Sequence, residues 1–106
     1  MRWDWRGLIA GGLLVAGGAA AEPDPVRQAE LLNLLEQDCG ACHGLTRKGG
    51  LGPSLLPEAL ADKTDAALLA TILDGRPGTA MGPWRPMLTE GEARWLVEQL
   101  RKGPQR

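Results

Sequence analysis

Phenylalanine and tyrosine are missing from this chain of 106 residues; tryptophan, present four times, is the only large aromatic it uses. A core of that kind has little aromatic bulk of its own and leaves room for another filler. An excess of one charge sign is also lacking. Twelve Lys and Arg face 13 Asp and Glu, a formal net charge of -1, which is no footprint for nucleic acid. No segment alternates with period two long enough to read as a strand, and there is no internal repeat or low-complexity stretch. With two Cys and one His, soft ligands fall short of a closed structural zinc site. No apolar run reaches the ~20 residues that span a bilayer. At 43% hydrophobic and 24% charged, the composition is that of one ordinary globular domain.

What is there begins with a segment that does not belong to that domain. Arg2 and Arg6 precede an uncharged run, Gly7 to Ala21, built only of Gly, Ala, Leu, Ile and Val. Ala19-Ala20-Ala21 then offers small residues where a signal peptidase cuts, and acidic, Pro-containing sequence follows. This reads as a secretory signal over residues 1–21, with one domain over residues 22–106. No Cys lies near the cut and no Arg pair precedes the run, which points to the general export route and away from a lipid anchor. Removing 21 of 106 residues leaves 85, a size at which a core alone is marginal and a staple is usual. Export also puts the two cysteines in an oxidising compartment.

Three or four short helices separated by two long loops are expected in the remainder. Val26 to Asp38 carries apolar residues at helical spacing, with Leu31 and Leu35 among them, and should end at the cysteines. Cys39 to Pro57 is rich in Gly and Pro and predicts an irregular loop, followed by a short helical turn over Glu58 to Ala61. Thr64 is a natural N-cap for a helix with Leu68, Leu69, Ile72 and Leu73 on one side, which Gly75 stops. Arg76 to Leu88 is a second loop. Thr89 and Glu92 form a capping-box pattern that opens a last helix to about Arg101, with Trp95, Leu96 and Leu100 inward. Loops of such length inside a small domain are usually functional.

The first loop opens on Cys39-Gly40-Ala41-Cys42-His43. Cys-x-x-Cys-His is the spacing at which two thiols add to the two vinyl groups of one haem while the adjacent imidazole meets the iron. A dithiol redox site is the main rival, but it needs a strand-to-helix setting that this pattern lacks. A plain disulfide would close too small a ring to stabilise much. A buried porphyrin would also provide the missing aromatic bulk. With a single His, two-histidine ligation within the chain is excluded, so the second axial ligand is sought among thioethers. Met81 lies in the second loop, from which a side chain can reach across to iron. Met87 stands two residues before a helix cap, where packing is the commoner role. Met81 is the expected ligand, with Met87, a lysine or an open site as the alternatives.

The export signal, CGACH, the later Gly52-Pro53-Ser54-Leu55 and the Met loop before a final helix resemble the class I c-type cytochromes. The segments CGACHGLTRKGGLGPSL, ATILDGRPGTAMGPW and LTEGEARWLVEQL resemble most the small NirC-type cytochromes associated with dissimilatory nitrite reductase. The resemblance implies an all-α fold of three to four short helices wrapped around one covalently bound haem c. It implies that Cys39 and Cys42 form the thioethers, that His43 is the proximal ligand and that Met81 is the distal one. It further implies that the Pro53 carbonyl supports His43. The chain departs from the class pattern in two ways: Leu31 and Leu35 stand where Gly and an aromatic are common, and Gly82 intervenes between Met81 and Pro83.

A six-coordinate haem has no room for substrate and cycles between ferrous and ferric iron. The expectation is therefore a periplasmic, monomeric one-electron carrier that is not an enzyme. Its redox partners would meet it briefly through a small surface. The resemblance implies nitrite reductase, or the maturation of its haem d, as the process served. Arg47, Lys48, Arg76 and Arg85 are candidates for a basic rim, and Trp84 for a lid over the cofactor. An open-site haem protein and a haem-free dithiol oxidoreductase are the alternatives.

Overall fold

The computed structural model describes residues 22–104, so the expected export signal at 1–21 lies outside the described residues. Five α-helices and one π-helical turn make up its regular structure, with no strand among the described residues. The described residues are all-α, as expected.

Helix α1, Pro25–Leu34, starts where Asp24 accepts a hydrogen bond from the Arg27 backbone N–H and Pro25 takes the first helical position. The chain does not leave the helical path at the cysteines. It passes through a π-helical turn, Leu35–Cys39, directly into α2, Gly40–His43. The expected loop thus begins only after His43. The reason is geometric: the motif's Gly and Ala are compatible with helix, and the first strongly non-helical backbone is Gly44, at φ 90°. Helix α3 is Pro57–Leu60, α4 is Asp65–Asp74 and α5 is Glu90–Lys102. Thr64 and Thr89 cap α4 and α5 as expected, and Thr89 and Glu92 form the reciprocal capping box.

Helix α5 is the hub: α1, α3 and α4 all pack on it. It buries Ala93, Trp95, Leu96, Val97 and Leu100. Leu31 and Leu35, which stand where the class pattern commonly has Gly and an aromatic, are almost fully buried in the same core. Branched aliphatic side chains thus occupy the places where a small and an aromatic residue are common. Leu68 and Leu73 are buried on α4, with Leu69 and Ile72 packed partly against them. The first helix keeps less of its apolar pattern inside than its spacing implies: Val26 is 72% exposed and Leu32 42%.

Two arginines tie the helices together through polar contacts. Arg27 of α1 bonds Glu92 at 2.5 Å and the Met87 carbonyl at 3.4 Å, so α1 reaches the start of α5. Arg101 of α5 donates to the Leu60 carbonyl at 2.7 Å, to the Lys63 carbonyl and to Asp65 at 3.0 Å, fastening the α3–α4 link. The Arg27 hydrogen bond, followed by the Thr89 backbone N–H, holds the Glu92 carboxyl below the usual carboxylate range.

Two outcomes follow. Leu96→Ala, which empties a site in the centre of the core, is expected to cost about 2–5 kcal/mol by urea denaturation, whereas Val26→Ala should stay within about 0.5 kcal/mol. Because the folded-state pKa of Glu92 is depressed, its stabilisation is present above the unfolded carboxylate range and lost as pH falls through its folded value. The denaturation midpoint of Glu92→Gln should therefore fall less steeply on acidification than that of the parent.

Candidate functional site

The continuous helix from α1 through α2 fixes Cys39, Cys42 and His43 on one rigid element. Cys39 is half-buried, Cys42 is exposed, and both are free thiols. Burial pushes the Cys39 thiol up to about 11, with Asp38 adding to the rise and Arg47 opposing it. A thiol shifted in that direction is a poor nucleophile at neutral pH, the opposite of what a dithiol redox pair needs. No group of three or more His, Cys, Asp and Glu side chains is assembled to hold a metal ion among the described residues.

The loop after His43 folds back on the motif. Gly49 N–H donates to the His43 carbonyl and Gly52 N–H to the Cys42 carbonyl, each at 2.8 Å. This return brings the Pro53 carbonyl to 2.7 Å from His43 Nδ1. A carbonyl oxygen can only accept, so Nδ1 carries the hydrogen and Nε2 keeps its lone pair free. Gly52 lies flat beneath the ring: a Cβ there would stand 2.8 Å from His43 Cε1 and Nδ1. That close approach is the physical reason for glycine at this position, and the motif pattern points to it only through its neighbour Pro53.

Met81 is presented by a second closed loop. Its carbonyl accepts from Arg76 N–H at 2.9 Å, its N–H donates to Thr79 Oγ1 at 3.3 Å, and Thr79 Oγ1 donates to the Arg76 carbonyl at 2.7 Å. Gly75, at φ 71°, lets this loop approach the end of α4; a Cβ there would lie 2.6 Å from the Met81 carbonyl oxygen. Trp84 N–H and Arg85 N–H then bond the Ile72 and Leu73 carbonyls, both at 3.0 Å, anchoring the loop to α4. Met81 is half-buried, whereas Met87 is 58% exposed with its carbonyl engaged by Arg27. Trp84 packs against the core cluster.

The four basic candidates do not form one rim. Lys48 and Arg76 are exposed. Arg85 is paired with Asp74 at 2.8 Å, and Arg47 is half-buried with its Nη1 sealed from solvent and without a hydrogen-bond partner. Sequence reading places such residues on a surface because loop charges are usually solvated; here the folded loop covers one and a neighbouring carboxylate neutralises the other.

These features fit a haem. Two thiols on one helical turn, an imidazole with its outer nitrogen free, a glycine under the ring and a sealed guanidinium N–H lacking an acceptor are the parts of a covalent porphyrin site.

Comparison with known proteins agrees. The family model described as cytochrome C oxidase, cbb3-type, subunit III matches residues 27–99. Cytochrome c55X of Pseudomonas aeruginosa is 55% identical over 87 residues, covering 82% of this chain and 73% of that protein. The solved structure of a c-type cytochrome NirC has 53% identity and a TM-score of 0.75, and the match covers 77% of this chain and 100% of that one. Dihydro-heme d1 dehydrogenase of Pseudomonas aeruginosa is 40% identical over 100 residues, which are 94% of this chain but only 18% of that protein.

Gly52→Ala should push the His43 ring off the Pro53 carbonyl, read by NMR as loss of the protected ring Nδ1–H resonance. Gly82→Ala, where an added Cβ meets nothing within 4 Å, should leave that resonance in place.

Proposed function

The chain belongs to the c-type cytochromes, and on that premise we propose that it is a monomeric periplasmic carrier of single electrons with one haem c, exported by the signal at residues 1–21. Cys39 and Cys42 form the thioethers, His43 is the proximal ligand and Met81 the distal one. The observation that carries this reading is the 2.7 Å hydrogen bond from His43 Nδ1 to the Pro53 carbonyl. It holds the ring in one tautomer and one rotation, and it strengthens the imidazole as a ligand.

Bound there, a haem would supply a one-electron ferrous–ferric couple, and ligation by the Met81 thioether together with the His43 imidazole would raise its potential. The protein's own part is to hold and to exclude. The helix sets the spacing of the two thiols, and Pro53 and Gly52 orient the His43 ring. The Arg76–Met81 loop fixes the backbone of Met81 through both its N–H and its carbonyl. Half-burial and the locked loop favour Met81 over the exposed Met87. With His43 and Met81 both engaged by the haem iron, no position would remain open for substrate, which is why the chain is read as a carrier and not as an enzyme.

The partners are proposed to be proteins of the nitrite reductase system. Likeness to a NirC cytochrome supports electron delivery in denitrification. Likeness to a domain-sized part of dihydro-heme d1 dehydrogenase supports a place in the maturation of haem d.

The test is the visible spectrum of protein exported together with a haem-attachment system, before and after dithionite, beside a haem-stained denaturing gel. Sharp reduced bands, haem that survives denaturation and a weak far-red ferric band are expected. Met81→Ala should abolish the far-red band and lower the potential, while Met87→Ala should keep both. Colourless protein would overturn the cytochrome reading in favour of a dithiol. A Met81→Ala protein with an unchanged spectrum would overturn the ligand assignment in favour of an open or substituted site.

A further inference from the structure

Proline has no backbone N–H, so Pro53 has no donor of its own with which to hold the carbonyl that meets His43. Its ring fixes φ, and the direction of that carbonyl is left to one torsion, the tilt of the peptide plane shared with Ser54. Before Pro53 the chain is tied by Gly52 N–H to the Cys42 carbonyl at 2.8 Å. After it the tie is Ser54. The Ser54 hydroxyl oxygen, part-buried, lies 3.2 Å from the Arg47 carbonyl and 3.2 Å from the Leu56 backbone nitrogen. The amide only donates and the carbonyl only accepts, so the hydroxyl accepts from Leu56 and turns its own hydrogen to Arg47. Leu55 N–H donates to the same Arg47 carbonyl at 2.8 Å. No other side chain between Gly44 and Leu56 makes a hydrogen bond within the protein among the described residues. Leu56 stands at the start of α3, whose Leu60 is buried in the core. One oxygen therefore joins the middle of the loop to an element anchored in the core, immediately beside the carbonyl that aims the imidazole.

We infer that Ser54 is a positioning residue for the axial histidine, its hydroxyl fixing the Pro53–Ser54 peptide plane so that the Pro53 carbonyl stays aimed at His43 Nδ1. The inference rests on the cytochrome reading above. Rotating that plane swings the Pro53 oxygen out of line with the ring N–H, and a hydrogen bond weakens steeply as its angle closes. The same rotation carries Ser54 with it and pulls its oxygen away from both Arg47 and Leu56. The two bonds on that oxygen thus oppose the one motion that would release the 2.7 Å contact to His43. Ser54 acts on the ring only through Pro53. Replacing its side chain leaves every backbone hydrogen bond of the loop in place, so the effect of the hydroxyl can be separated from the fastening of the loop.

The experiment compares haem-loaded Ser54→Ala, Ser54→Thr and Thr46→Ala with the parent by proton NMR in the reduced state, beside urea denaturation of each. The haem-stained gel is run first on the parent, so that failure of the cytochrome reading shows there and not in the resonances. Ser54→Ala is expected to move the His43 Nδ1–H resonance to higher field, the mark of a weaker hydrogen bond, and to speed its exchange with water about three- to tenfold. Ser54→Thr, which keeps a hydroxyl, should restore both. Thr46→Ala, which removes an exposed hydroxyl of the same loop, should change neither. If Ser54→Ala takes up no haem while Ser54→Thr is fully loaded, the hydroxyl is needed to present the ligand, which supports the assignment. A Ser54→Ala resonance at the parent's position, whatever the denaturation midpoint, would overturn it and make Ser54 a fastener of the loop only. So would loss of haem in both Ser54 variants.

Discussion

An imidazole serves as a fixed ligand only if its ring is held in one rotation and its proton on one nitrogen, and in this protein a single backbone carbonyl does both. The Pro53 oxygen at 2.7 Å from His43 Nδ1 can be there only because the chain returns to the motif within ten residues. That return in turn depends on Gly52 lying against the ring with no side chain in the way. The bonds from Gly49 and Gly52 to the carbonyls of His43 and Cys42 lock the return from the other side. Pull any of these apart and the thiols keep their spacing while the His43 imidazole loses its aim.

The rest of the molecule positions the His43 loop and the Met81 loop through one shared helix. Helix α5 carries most of the core, and α1, which leads into the motif, packs on it through Leu31 and Leu35. Helix α4 packs on it from elsewhere and bears the Met81 loop at its end. The two loops are therefore positioned by a shared helix. Arg27 and Arg101 add polar fastenings between the helices. A domain this small, with tryptophan as its only large aromatic, relies on these ties to hold its helices together.

Much of this was legible in advance where the physics is local. The caps at Thr64 and Thr89 and the stop at Gly75 are decided by atoms within three or four residues, and they stand where the pattern puts them. The course of the first helix was less legible. Apolar spacing predicts its existence, but it runs through Cys39 to His43 by way of a π-helical turn, because nothing before Gly44 compels the backbone to leave helical space. Periodicity likewise overstates its buried face: Val26 and Leu32 are at helical positions, yet no neighbouring element among the described residues buries them. The surroundings of the basic residues are less legible for a related reason. Whether a loop arginine is solvated, paired or sealed depends on what the loop folds against, and Arg85 and Arg47 meet Asp74 and the Cys39 side of the helix respectively.

By itself the sequence determined the chemistry available: two thiols and an imidazole at the spacing of a covalent haem motif, two candidate thioethers, and helix ends written in capping residues. These are properties of adjacent atoms along the chain and survive any packing. The tertiary structure alone decided how that chemistry is aimed. It chose the carbonyl that orients His43, half-buried Met81 while leaving Met87 in solvent, and sealed the Arg47 guanidinium beside Cys39. Each of those outcomes requires segments distant in sequence or a folded loop to close on one another, and closure is set by the shared packing of α1 and α4 on α5, which no local pattern encodes.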